Sequence, residues 1–367
     1  MKKRIQRFSL FLLAACISLQ VVAGLPAWAS AKAGLSAGAS AKADGDQSEK
    51  KKSYSKSYPV SGSDKISLTN SFGELRINTW DKNEVKVDVT ITGKGSTDER
   101  AQEIIDRITI EDGKSSSGVY FKTNFKNDDD RNWKKGDKDG KNEGMEVNYV
   151  VYLPSGNPLD ASNSFGAMFV PDYKGQAELE SKFGSLTAGK ISNNKSIDVE
   201  FGKATIDFVN GGKITVKFSK ASITKISGSV NTSFEFCDAI KLSIDNTLKD
   251  LTMKNSYSSV YLDMSKDISA NFDIRTSFGD FKNKSDFKIV EEKDDDNDHY
   301  GPKFDHQYNG SSGSGAAKIK IKSEFGKIVA GHGLIVDEKG KDKDKKKEVS
   351  MKDDDDFDVS WVADDED

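Results

Sequence analysis

The residues that could do chemistry are few and scattered. Cleaving a glycosidic bond by acid–base catalysis needs two opposed carboxyl groups, and lyase chemistry needs a Ca²⁺ cluster beside a base. Asp198, Glu200 and Asp207 are the best carboxylate candidates, yet they recur at no common position of the sequence pattern described below. The three histidines are His299, His306 and His332, the first two beside the acidic run from Asp294 to Asp298. That run reads as a solvated charge cluster rather than a metal site. The stretch KGDKDGKNEGME places Asp137, Asp139, Gly140 and Glu146 at EF-hand-like offsets, but its first ligand position is Lys135, which no Ca²⁺ loop accepts. Cys237 stands three positions after Phe234, an inward offset of the pattern described below, and reads as a small core residue. No Gly-x-Ser-x-Gly elbow, phosphate loop or dinucleotide fingerprint stands in a supporting context. The expectation is a protein without catalytic, cofactor-binding or metal-ligating residues, and not an enzyme.

The ends of the chain indicate export. MKKRIQR is a basic leader, and Phe8 to Gly24 is largely apolar, with helix breakers at Gly24 and Pro26 just before Ala27-Trp28-Ala29. Those small residues suit signal-peptidase cleavage after Ala29, so residues 1–29 are expected to be a signal peptide. A competing reading takes Leu13-Ala14-Ala15-Cys16 as a lipobox, with Cys16 carrying a lipid anchor; the apolar run that follows Cys16 argues against it. No later apolar run reaches the length of a membrane span. Residues 1–29 hold four basic and no acidic residues, which leaves 51 Lys and Arg against 59 Asp and Glu, a net of −8. That balance gives nucleic-acid binding no electrostatic basis. Cys237 would then be the only cysteine, so stability must come from a core rather than from disulfides.

Several stretches are too polar to pack. Residues 30–57 read as a flexible leader, 126–144 and 291–315 as charged insertions, and 336–367 as a mixed-charge disordered tail in which FDVSWV could add a short strand.

Between these segments a Phe-Gly motif returns: NSFGELRI, NSFGAMFV, SKFGSLTA, VEFGKATI, TSFGDFKN. The sequence pattern assigns its aromatic to Phe72, Phe165, Phe183, Phe201, Phe218, Phe234, Tyr257, Phe278 and Phe325, with spacings of 18, 18, 17, 16, 23 and 21 residues from Phe165 to Phe278. Apolar residues recur four positions before the aromatic (Leu68, Leu179, Ile197, Ile214) and three and five after it (Leu186 and Ala188, Ala204 and Ile206). Strand residues alternate between faces, so passing from an even offset to an odd one requires a residue to be absorbed at the corner. The glycine after the aromatic is the expected site of that bend. A corner repeated at this interval makes coils that cannot bury their own inward faces, so they must stack. The fold class is therefore all-β, a parallel β-solenoid over residues 58–335. Its Phe residues are expected in a buried column, and the polar residues two positions earlier in a second column bonded from coil to coil. STDERAQEIIDRI is expected to be a helix capped by Ser96 and Glu99 that covers an end of the solenoid.

The order of NSFGELRINTWDKNEVKVDVTITGKGSTDERAQEIIDRITIE and VNYVVYLPSGNPLDASNSFG resembles the DUF4097 family of adhesin-like proteins, common in Bacteroidota, over roughly residues 57 to 290. The resemblance implies an exported β-solenoid protein of the periplasm, outer membrane or cell surface that binds an unknown macromolecule. It carries over no site residue. The charged insertions are the expected recognition loops. Two other classes stay open: a carbohydrate-active β-helix enzyme, and a structural or regulatory periplasmic partner of an envelope complex.

Overall fold

A computed structural model describes residues 47–126, 143–292 and 304–336. Among these residues the chain forms 21 strands and one helix, and its strands stack as a β-solenoid. Lys65–Ser71 enters a sharp corner and Leu75–Trp80 leaves it, and the pair defines the coil. Farther along, single long strands serve two corners. Ser185–Glu200, Lys203–Lys217 and Lys220–Glu235 each leave one corner, pass a second bend and enter the next. Their parallel register shows that second bend directly: Ser185 to Ile191 pair with Lys203 to Val209, and pairing resumes only at Ser196 with Lys213.

The coils thus build two columns of strands, one entering the corners and one leaving them. The alternating burial of Leu179, Ile197 and Ile214 in the first column, and of Leu186, Ala188, Ala204 and Ile206 in the second, places both sets in one continuous core. These are the offsets that the sequence period selects.

The stacking order departs from the chain order. Ala317–Glu324 pairs in parallel with both Ile240–Ser256 and Ala270–Ser277, and Lys327–Gly331 pairs with both Ser259–Met264 and Asp280–Lys284. The last coil is therefore inserted between two coils that are successive in sequence. At the other end, Lys65–Ser71 pairs directly with Leu159–Ser164, while the intervening residues make an excursion.

That excursion closes one end with antiparallel ribbon. Gly144–Pro154 pairs with Glu84–Gly95, which pairs with Ser48–Pro59. The last strand lies within the segment expected to be a flexible leader, so residues 48–57 correct that expectation. Its sequence, SEKKKSYSKSYP, explains why it is stable at an edge: lysines discourage further strand pairing, while Tyr54 and Tyr58 pack on the core. The opposite end is closed by Asp305–Ser312, antiparallel to Ala270–Ser277. Part of the expected 291–315 insertion is thus a strand as well. Residues 1–46, 127–142, 293–303 and 337–367, which include the expected signal peptide, Cys16, His299 and FDVSWV, lie outside the described residues.

The helix is Asp98–Asp106, and its cap differs from expectation. Thr97, not Ser96, takes the cap position, its hydroxyl accepting from the Arg100 backbone N–H at 3.2 Å. Ala101, Ile104 and Ile105 are buried. The helix backbone comes so close to the strand Glu84–Gly95 that a Cβ at Gly93 would stand 2.5 Å from the Ala101 carbonyl oxygen.

Candidate functional site: an exposed aromatic ladder

The corner is built by the aromatic residue itself. Phe72, Phe165, Phe183, Phe201, Phe218, Phe236, Tyr257, Phe278 and Phe325 all have φ between 49° and 63°, the left-handed region that costs a bulky L-residue about 1–2 kcal/mol. One residue in that conformation absorbs the odd step, so both flanking strands face the same interior. The glycine after it has another task. A Cβ at Gly184 would lie 2.0 Å from the Gly166 carbonyl oxygen, and one at Gly202 1.9 Å from that of Gly184. Glycine is needed there for the close approach of successive coils, not for the bend.

Two expectations are overturned. The ring column is not core: turned outward by the left-handed corner, Phe165 is 50 % exposed and Phe201 43 %, and the others are similar. Phe234 is not a member of it. Phe234 is fully buried, and Phe236 occupies the corner. With Phe236 the spacings from Phe165 to Tyr257 become 18, 18, 17, 18 and 21, a more even series. The signal was present in the sequence but hidden, because Cys237 stands where most copies have glycine. Cys237 is buried as expected, and its thiol donates to the carbonyls of Glu235 and Val216 at 3.2 and 3.3 Å. Burial pushes that thiol's pKa up, against the hydrogen bonds it receives.

The exposed rings stack face to face. From Phe72 through Phe165, Phe183, Phe201, Phe218, Phe236, Tyr257, Phe325 and Phe278, successive centroids lie 4.8–5.0 Å apart with planes tilted by only 1–7°. Phe304 adds a tenth ring 4.6 Å from Phe278, and Phe125 packs edge-on against Phe72 at 5.4 Å. Steps near 4.8 Å make an apolar stripe on the order of 40 Å long. Each ring's faces are covered by its neighbours while its outer edge meets solvent. Stacking at about 0.5–1.5 kcal/mol per pair offsets the corner strain. At its first two rungs the stripe borders a groove of about 380 Å³ lined also by Thr92, Lys94, Met145 and Glu146.

Behind the ladder runs the second expected column. Asn70 Nδ2 donates to Asn163 Oδ1 at 3.1 Å, and Asn255 Nδ2 to Ser323 Oγ at 2.9 Å, both between stacked coils. The same amides also hold backbone carbonyls: Asn70 that of Val147 on the neighbouring strand, Asn163 that of the corner Gly73, Asn255 that of the corner Ser258. The middle of the column is apolar, with Val199, Val216 and Phe234, and Ser181 and Thr276 have buried hydroxyls without a hydrogen-bond partner.

The chemistry candidates do not converge. Asp198 and Glu200 lie on a strand entering the Phe201 corner and Asp207 on the strand leaving it, in the other column. His306 pairs with Glu291 at 2.7 Å, and His332 bridges Asp286 and the Met264 carbonyl, each at 2.7 Å. Among the described residues, no group of three or more His, Cys, Asp or Glu is placed to hold a metal ion. No helix among them is long and apolar enough to cross a membrane.

No family model matches the chain, and no curated protein sequence matches it either. Among solved structures it is similar to a "putative cell adhesion protein" from Clostridium sporogenes, at 13% identity over 77% of this chain and 100% of the other, with a TM-score of 0.23. It is also similar to a "putative adhesin" from Bacteroides fragilis, at 10% identity over 76% of this chain and 97% of the other, with a TM-score of 0.34.

Proposed function

We propose that this protein is a non-catalytic, exported, adhesin-like scaffold that presents the aromatic ladder to a macromolecule at the cell envelope or surface. One observation carries the reading: ten stacked rings leave their edges in solvent along one continuous line. Exposed apolar stretches of this extent mark interaction surfaces, because leaving them in water is unfavourable. The ladder rests on a rigid scaffold: the rungs from Phe72 to Phe278 are fixed by the parallel pairing beneath them, and Phe304 by the antiparallel strand that closes the end. An extended partner fits such a line better than a small molecule does.

The test compares bacteria displaying the natural protein with bacteria displaying F183N/F201N/F218N. Asn tolerates the left-handed corner, so the fold should persist while the apolar line is broken. Loss of adhesion to host-matrix or glycan surfaces is expected. A ladder variant that adheres as well as the natural protein moves recognition to the insertions at 126–144 and 291–315. Release of reducing ends from any polysaccharide by the purified protein overturns the non-catalytic reading.

A further inference from the structure

Taking the ladder as the docking surface, we infer that its partner is the ladder of a second copy of this chain, the two running antiparallel about a two-fold axis between the Phe201 and Phe218 rungs.

The first argument is shape. Sugar rings and other flat partners bind the faces of aromatic side chains, and here those faces are covered by the neighbouring rungs. What is offered is a row of edges at a repeat near 4.9 Å. A second copy carries the same repeat, so every rung meets a counterpart or the gap between two. The rings also do not fan apart: successive planes stay parallel to within 1–7° at a nearly constant step, so the edges form one continuous row that a second row of the same repeat can meet.

The second argument is area. A buried aromatic side chain covers about 150–250 Å², so ten half-exposed rings leave on the order of 1,000 Å². A stable protein–protein interface removes about 800 Å² from each partner. The ladder alone is of that size.

The third argument is charge. The residues immediately before the central rings are Lys182, Glu200, Lys217 and Glu235, with Ser164 and Ser256 beyond them. A two-fold axis perpendicular to the ladder and lying in the contact plane brings this column against itself in reverse order. Lys182 then faces Glu235 of the second copy, Glu200 faces Lys217, and Ser164 faces Ser256. On the other flank Lys203 faces Lys220, a like pair, while Glu74 faces Lys327. Parallel ladders would instead oppose the two flanks rung by rung, where the like pairs Lys217 with Lys220 and Glu235 with Asp238 cancel the opposite pairs Glu200 with Lys203 and Glu324 with Lys327. The antiparallel arrangement has the better complementarity, and it is isologous, so the dimer closes.

The test is the association state of the full mature chain by sedimentation equilibrium over micromolar concentrations. A dimer is expected. Glu200→Lys opposes Lys217 twice across the axis and should weaken association by about tenfold or more. Adding Lys217→Glu restores opposite charges across the axis while placing like charges side by side within each chain, as Lys182 with residue 200 and residue 217 with Glu235. Recovered dimerisation in E200K/K217E therefore cannot come from the isolated monomer. F201N/F218N, with an unchanged β-type circular dichroism spectrum, should be monomeric. A natural protein that is monomeric throughout, a single reversal that dimerises normally, or a double reversal that stays monomeric each overturns the inference. A monomeric natural protein whose adhesion still depends on the ladder would leave the proposed function standing and this inference refuted.

Discussion

The ring of Phe325 stacks on that of Tyr257 at 4.9 Å and 3°, although Phe278 lies between them in the chain. The C-terminal coil is therefore an interior layer, with Tyr257 on one side and Phe278 on the other. Cutting the chain after residue 315 removes an interior layer and leaves Ile240–Ser256 and Ala270–Ser277 without their shared partner. The expected outcome is loss of a cooperative thermal transition. A truncated protein that melts as the full chain does would show that the layer is dispensable.

Glycine after the aromatic acts by proximity. Gly184→Ala puts a methyl group 2.0 Å from a backbone oxygen, which must move, at a cost of about 3 kcal/mol. Gly62→Ala, where a Cβ meets nothing within 4 Å, should change stability by no more than about 0.5 kcal/mol. Urea unfolding of the two variants distinguishes them, and equal midpoints would contradict the close approach.

At the aromatic itself the ranking of substitutions is diagnostic. A buried Phe201 would make Ala cost about 3–5 kcal/mol. A half-exposed Phe201 with φ 54° predicts a smaller loss, and Gly should be better than Ala by about 1 kcal/mol because it relieves the corner. Ala more stable than Gly would place the strain elsewhere.

Asn70 joins the two columns. Its amide donates to the Val147 carbonyl and Asn163, and its oxygen accepts from Thr123 Oγ1 at 3.0 Å. Asn70→Ala leaves several buried groups unpartnered and should cost about 3 kcal/mol in chemical denaturation. Little loss would mean that the network relaxes around the gap.

Acidification should act on the helix. Arg100 grips Glu143 with two hydrogen bonds, at 2.6 and 3.0 Å, and these hold the Glu143 carboxyl below its ordinary value of 4.5. A carboxyl lowered in the folded state contributes stability that is fully present above 4.5 and is lost as pH falls through the folded value. Glu143→Gln should therefore cost about 1 kcal/mol at pH 7, with the difference from the natural protein shrinking below pH 4.5. A pH-independent difference would exclude the ion pair as its source.

The solenoid was legible because the inward offsets repeat: Leu186, Ala188, Ala204 and Ile206 are buried where period-two alternation puts them. The ring ladder's repeat was legible too, but its burial was not. Phe is ordinarily core, and sequence does not display the left-handed φ that turns it outward. Phe236 is hard to recognise as the corner aromatic because Cys237 replaces the glycine that follows it in most copies, which leaves Phe234 as the apparent motif residue. The insertion of the last coil out of order was invisible, since every coil carries nearly the same inward pattern and any could stack on any other. The strand Ser48–Pro59 looked like a linker because an edge strand with one wet face carries lysine and serine rather than alternating apolar residues.

Hydroxyl-radical footprinting of the dilute, monomeric protein, read by mass spectrometry, tests most directly whether the corner aromatics form an exposed line. Phe183, Phe201 and Phe218 should label several-fold faster than Phe121 and Phe234, which are buried at 1% and 0% exposure. Labelling of the corner rings as slow as that of Phe121 and Phe234 would mean that the column is core, and that the ladder is not a surface at all.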